Sequence, residues 1–216
     1  MAKTKNTPNM RQLVQGLGVQ MMEALQVPVG HAPSGKMSYR GAIVLGMGGS
    51  GIGGAVLADM LRPSLSMPLM AVSDQALPGW VDSDCLVVAV SYSGNTEETL
   101  AALSEAENRG CTLAAVTSGG ELGMRAENQN WPLVKMPGGN PPRSQFGRSF
   151  LGLCALLHAY GILSNASWET IQQAARGLDG SSVEERGESL ALALEGKKIY
   201  LYGDSPMRGL LTRWRQ

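Results

Sequence analysis

Imidazole, thiol and aromatic side chains are scarce in this chain. Its 216 residues include two His, three Cys and two Phe, and aromatics make up only 5%. Two imidazoles far apart in sequence, His31 and His158, exclude a His-rich metal centre and leave a mixed one little to work with, so no metal is expected. Cys85, Cys111 and Cys154 are odd in number and show no C-x-x-C spacing. They are expected to be reduced, buried thiols of a cytoplasmic protein. Net charge is missing as well. The 18 basic and 18 acidic residues cancel, which argues against a general polyanion binder, and no basic helix-turn-helix segment offers itself to nucleic acid. The stretch from Met1 to Asn6 lacks the apolar core of a signal peptide, and the longest apolar stretch, Phe150 to Leu163, is broken by His158. No membrane span is expected.

Glycine, by contrast, is abundant at 28 residues, above a usual share of about 7%. Much of it follows the apolar run Ala42-Ile43-Val44-Leu45, as Gly46-Met47-Gly48-Gly49-Ser50-Gly51-Ile52-Gly53-Gly54, before the helical-looking Val56 to Leu61. That reads as strand, glycine loop, helix. Glycines let the backbone approach a ligand closely, so their N–H groups can line an anion or a sugar hydroxyl. Gly46, Gly48 and Gly51 also match G-x-G-x-x-G, but Asp74 comes later than the spacing of about 20 residues in a dinucleotide site. The plain reading is a tight turn with close helix-to-strand packing. A cluster this dense answers no fold requirement visible in the sequence, and a ligand role is expected for it.

A second junction follows the strand-like Cys85 to Val90. The run Ser91-Tyr92-Ser93-Gly94-Asn95-Thr96-Glu97-Glu98-Thr99 leads into a helix reaching Asn108. A helix start leaves N–H groups without intrahelical partners and carries partial positive charge, an environment that suits phosphate. Ser91, Ser93 and Thr96 can turn hydroxyls toward the same anion. Taken alone, the segment is also accounted for by an ordinary cap, with Asn95 at N-cap and Glu98 at N3.

The pattern then repeats. Thr112 to Val116 is followed by Thr117-Ser118-Gly119-Gly120 and a short helix, Glu121 to Glu127. Trp131 to Val134 is another strand, and Pro141-Pro142-Arg143 opens a helix from Ser144 to Leu163. This βαβα period predicts an α/β fold, a three-layer αβα sandwich around a parallel sheet, with ligands beyond the carboxyl ends of its strands. The Gly/Ser/Thr loops would share that edge. Arg143 is a cation at a helix start, where the dipole disfavours it, which points to a grip on a substrate anion or to plain solvent exposure. His158, among Leu156, Leu157 and Tyr160, reads as a packed helical residue.

Around this unit, residues 1–40 predict an N-terminal helix, Met10 to Leu25, and a loop with His31. Residues 41–165 form the sheet domain, and 166–196 a helical connector of two helices, Trp168 to Gly177 and Val183 to Leu194. In 197–216 a strand, Lys198 to Gly203, is expected to precede a helix, Pro206 to Arg215.

With these motifs assembled, the chain resembles the bifunctional phosphoglucose/phosphomannose isomerases, built from two sugar isomerase (SIS) subdomains of flavodoxin-like fold. The resemblance rests on Gly46 to Gly54, Val90 to Thr99, Val116 to Gly120 and Pro141 to Arg143, which are specific together and weak singly. It implies that Ser91, Ser93 and Thr96 hold a sugar phosphate, that Gly48, Gly49 and Ser50 line the sugar, and that Arg143 acts catalytically by steadying an enediolate. The implied reaction interconverts glucose 6-phosphate or mannose 6-phosphate with fructose 6-phosphate through a cis-enediol, in a homodimer and without a cofactor. In similar enzymes the base Glu, a ring-opening His and a Lys come from the second SIS subdomain or the partner subunit. Residues 197–216 look like the first strand and helix of that subdomain, so a truncated chain without the base region is expected. Two other readings stand beside this one: a phosphosugar sensor without chemistry, and a dinucleotide-dependent oxidoreductase using Gly46, Gly48 and Gly51.

Overall fold

The computed structural model describes residues 9–34, 38–178 and 180–215. Five strands form one parallel sheet: β1 (Gly41–Leu45), β2 (Leu69–Val72), β3 (Cys85–Ser91), β4 (Thr112–Thr117) and β5 (Leu133–Lys135). Their order is β2-β1-β3-β4-β5. β1 and β3 are buried along their whole length, as expected of central parallel strands covered on both faces.

The strand pleat sorts the core into two layers. Ala42, Val44, Leu86, Val88, Val90 and Tyr92 face one side, where they meet α3 (Gly48–Leu61) and α6 (Phe146–Ala159). Ile43, Leu45, Val87 and Ala89 face the other, against α4 (Glu97–Asn108) and α5 (Gly120–Asn128). The αβα sandwich read from the sequence is therefore the observed one. α2 (Leu17–Ala24) and α7 (Asn165–Arg176) extend the α6 layer, through Ala24 and Ala175. His158 is a packed helical residue as expected: its ring stacks on Trp168 with centroids 5.6 Å apart, and Nε2 lies 3.0 Å from Asn165 Oδ1.

Three expectations need correction. The single helix Met10 to Leu25 is two, α1 (Met10–Gln15) and α2, parted at Gly16. Most of the supposed glycine loop is helical, because α3 begins at Gly48, leaving only Gly46 and Met47 as the turn. Lys198 to Gly203 is not a strand. It runs without ladder bonds and with Ile199, Tyr200 and Tyr202 exposed, since no second sheet among the described residues offers it a partner, and an isolated strand gains nothing to offset its ordering. The helix after it does form, as α9 (Arg208–Arg215), following α8 (Gly180–Leu194) and a short 3-10 turn at Ser205–Met207. α9 docks on α3: the Gly209 amide donates to Asp59 Oδ2 at 2.7 Å, and Arg62 Nη1 to Ser205 Oγ at 3.0 Å.

Candidate functional site

In this strand order the chain turns to opposite sides of the sheet after β1 and after β3, so a crevice opens between those neighbours at their carboxyl ends. The turns at Gly46–Met47 and Tyr92–Thr96 border it, and the turns after β4 and β5 lie on the same edge.

Close packing explains much of the glycine cluster. A Cβ on Gly51 would stand 2.0 Å from the Gly46 carbonyl oxygen, and one on Gly54 2.6 Å from Val44 Cγ1. The dense cluster thus does answer a fold requirement: α3 crosses β1 at a separation that only glycine permits. Gly48 and Gly49 are different. Gly48 lies at φ +50° with open space around it. Gly49 lies against the backbone of Arg143, where a Cβ added to the glycine would stand 3.4 Å from the Arg143 Cα.

Both helices bordering the crevice begin without a side-chain cap. At α3 the N-cap residue is Met47, which has no capping oxygen. Ser50 N donates to Met47 O at 3.0 Å, whereas the amides of Gly48 and Gly49 have no hydrogen-bond partner among the described residues. At α4 the N-cap is Thr96, not Asn95, and it caps nothing, because its Oγ1 lies 2.9 Å from Ser91 Oγ. The amides of Glu97, Glu98 and Thr99 are left without partners among the described residues. Thr99 Oγ1, in that turn, is buried and also without a partner among the described residues. Such N–H groups, with the helix dipole behind them, favour an anion. α4 carries Glu97 and Glu98 in its first turn and α3 carries no acid there, so the positive end is the less compensated at α3.

The site residues named from the sequence fall into distinct settings. Ser93 is exposed, and Asn95 N donates to its Oγ at 3.2 Å. Ser91 is buried, its hydroxyl taken up by Thr96 and by the Gly94 amide at 3.2 Å, so it shapes the turn from within. Ser50 Oγ accepts the Tyr92 amide at 3.2 Å and joins the two turns across the crevice. Arg143 is exposed in a 3-10 turn, Pro142–Gln145, ahead of α6, and its guanidinium makes no ion pair among the described residues. That turn holds it beside Gly49, at the same edge as Ser93 and Thr96.

Reading the hydroxyl run for anion donors missed two residues that shape this edge. Asn95 accepts the Glu121 amide at 2.9 Å and so caps α5. Tyr92 is buried with its phenol hydrogen-bonded to the segment after β5. A buried Tyr must find a partner for its hydroxyl, and its even-numbered place after Leu86, Val88 and Val90 puts it on the α6 face; those two signals were available.

The strand order and the helices on both faces define a doubly wound α/β domain. Its backbone matches the C-terminal domain of glucosamine-fructose-6-phosphate aminotransferase from Francisella tularensis with a TM-score of 0.68 and 12% identity, over 97% of this chain and 66% of that one. In sequence, the chain is a homologue of the bifunctional phosphoglucose/phosphomannose isomerases. It is 34% identical over 185 residues to the one from Caldicellulosiruptor bescii, covering 80% of this chain and 54% of that protein. A D-glucosamine-6-phosphate 4-epimerase from Sulfolobus acidocaldarius is 33% identical over 174 residues, covering 79% and 54%. The chain spans about half the length of the curated relatives it matches. No protein-family model matches it. The dinucleotide reading is not favoured: the strand order differs from the 3-2-1-4-5-6 arrangement of that class, and Gly46 and Gly51 are spent on packing.

Proposed function

We propose that this chain is the phosphosugar-binding part of a sugar-phosphate isomerase that interconverts glucose 6-phosphate or mannose 6-phosphate with fructose 6-phosphate. The observation that carries the reading is the pair of uncapped helix starts, α3 and α4, at one crevice. In this reading the free amides of Glu97 to Thr99, with the Ser93 and Thr96 hydroxyls, hold the phosphate, and Ser91 keeps Thr96 in place. Gly48, Gly49 and Ser50 line the sugar.

Arg143 contributes electrostatics. Moving a proton between C2 and C1 passes through an enediolate, whose negative oxygen is stabilised by a preorganised cation. A guanidinium stays charged through the reaction and offers two parallel donors to neighbouring oxygens. The proton itself needs a base within hydrogen-bond reach of the carbon. Glu97 and Glu98 sit in the turn assigned to phosphate, and we assign the base to residues outside the four turns of this edge, from a second subdomain or a partner subunit of a homodimer. A cytoplasmic setting is part of the same proposal; among the described residues no helix is long and apolar enough to cross a membrane.

Calorimetric titration with fructose 6-phosphate, together with an assay for its conversion to glucose 6-phosphate and mannose 6-phosphate, tests the reading. Saturable binding without appreciable turnover is expected. Turnover close to that of a two-subdomain relative would sink the assignment of the base elsewhere, and no binding would sink the reading as a whole.

A further inference from the structure

Among the described residues, Tyr92 alone touches every turn of this edge. Its amide donates to Ser50 Oγ at 3.2 Å, at the start of α3. Its carbonyl accepts from Ser118 N at 3.1 Å and Ser118 Oγ at 2.6 Å, in the turn after β4. Its hydroxyl donates to Pro137 O at 3.1 Å and accepts from Asn140 N at 3.0 Å, in the segment after β5.

That last segment has little else to hold it. Pro137 and Pro141 have no N–H to give, and Gly138 and Gly139 contribute no side chains. Among the described residues, the hydrogen bonds tying Pro137–Asn140 to the sheet are the two at the Tyr92 hydroxyl. Three residues further on is Arg143, whose carbonyl accepts from Arg213 Nη2 of α9 at 3.0 Å. The segment bearing the free guanidinium is thus pinned at one end by the phenol of the residue directly after β3.

We propose that the Tyr92 hydroxyl is a positioning residue: it holds Pro137–Asn140 so that Arg143 faces the sugar end of a ligand whose phosphate lies at α4. This rests on the phosphosugar reading for the ligand, but the mechanical part stands on the hydrogen bonds alone. Tyr92 directly follows β3 and opens the phosphate turn, so it sets the distance between the two ends of the ligand. Its ring packs in the α6-side core and is 6% exposed, which keeps the hydroxyl from following the segment if the segment moves.

The test is Tyr92→Phe, which keeps the ring and removes the two bonds. By calorimetry, fructose 6-phosphate is expected to bind about 5- to 10-fold more weakly, the scale of one or two lost hydrogen bonds acting indirectly. Inorganic phosphate, which needs only the α4 end, is expected to bind within about twofold of the parent. In an Arg143→Ala background the Tyr92→Phe change should cost no further affinity for fructose 6-phosphate, as a double-mutant cycle demands of residues acting through one another. Equal weakening for both ligands, or an undiminished effect in the Arg143→Ala background, would overturn the proposal. Amide hydrogen exchange on the ligand-free chain separates this from the functional reading. Exchange at Asn140 should quicken by about tenfold or more while β3 and β4 stay protected, and unchanged exchange would overturn the proposal. A parent chain that binds neither ligand would sink the phosphosugar reading and the role given to Arg143, with exchange still deciding whether Tyr92 holds the segment.

Discussion

Asn95 Oδ1 accepts the backbone N–H of Glu121 at 2.9 Å, so the residue two positions before α4 caps α5 instead. The consequence is reciprocal. α4 begins without a cap, and the turns after β3 and β4 are locked together, with the Gly94 carbonyl also accepting from Leu122 N at 2.9 Å. Gly94 lies at φ +72°, where a Cβ would stand 1.8 Å from Gly119 O. Asn95→Ala removes a cap of the kind worth about 1 kcal/mol, and urea unfolding should show a loss of that size. Ligand affinity should fall as well, because the α4 turn loses its anchor to α5.

Ser93→Ala combined with Thr96→Ala should weaken fructose 6-phosphate binding by about 10- to 100-fold, as expected when two hydroxyl donors to a dianion are lost. The melting temperature should change little, since Ser93 is exposed and Ser91 keeps its bond from Gly94. Unaltered affinity in calorimetry would return Ser91 to Thr99 to the status of a plain turn.

Gly51→Ala and Gly48→Ala separate packing from site. At position 51 a Cβ would press on the Gly46 carbonyl at 2.0 Å, and a loss of at least about 3 kcal/mol, or failure to fold, is expected from such overpacking. At position 48 there is open space, and the cost is that of a non-glycine residue at φ +50°, about 1–2 kcal/mol. Chemical denaturation of the two variants measures the contrast; similar losses would contradict it.

Glu105 predicts a pH dependence. Its carboxylate accepts the Leu77 amide at 2.9 Å and pairs with Arg109. The Leu77 amide first, and then Arg109, hold its pKa below the ordinary glutamate value of 4.5. A carboxylate depressed in the folded state adds stability that is complete above its unfolded value and is lost as pH falls through the folded one. The parent should therefore lose stability more steeply than Glu105→Gln as the pH drops below about 4.5, and at neutral pH the variant should be the less stable. Thermal melts from pH 3 to 7 would show parallel curves if Glu105 contributes nothing.

The sheet and its layers were legible because continuous apolar runs such as Val87 to Val90 leave a parallel, doubly covered strand as the simplest arrangement. Strand boundaries came within a residue or two. The glycine run misled in two ways. Six glycines from Gly46 to Gly54 look like a loop by propensity, yet packing against Val44 and Gly46 outweighs the backbone entropy that opposes helix there. The alternative reading of Asn95 as the α4 cap fails because the capping rule is local, whereas its acceptor role lies 26 residues along the chain. Lys198 to Gly203 has the composition of a strand, but a strand is a property of a pair, and composition cannot supply the partner.

The bare starts of α3 and α4 set stability against recognition. Each helix start forgoes a side-chain cap worth about 1 kcal/mol, α3 because its N-cap is Met47 and α4 because the Thr96 hydroxyl is turned to Ser91, so the ligand-free fold is less stable than a capped one would be. In the proposed reading a phosphosugar, with its phosphate at α4 and its sugar at α3, would occupy both ends and stabilise the native state by mass action. Substitutions that look like improvements, such as Met47→Asp, would raise the melting temperature by capping α3 from within and would then compete with the sugar end of a ligand for the same amides. Screens that select this domain for heat resistance alone should accordingly drift toward variants that have closed their own crevice.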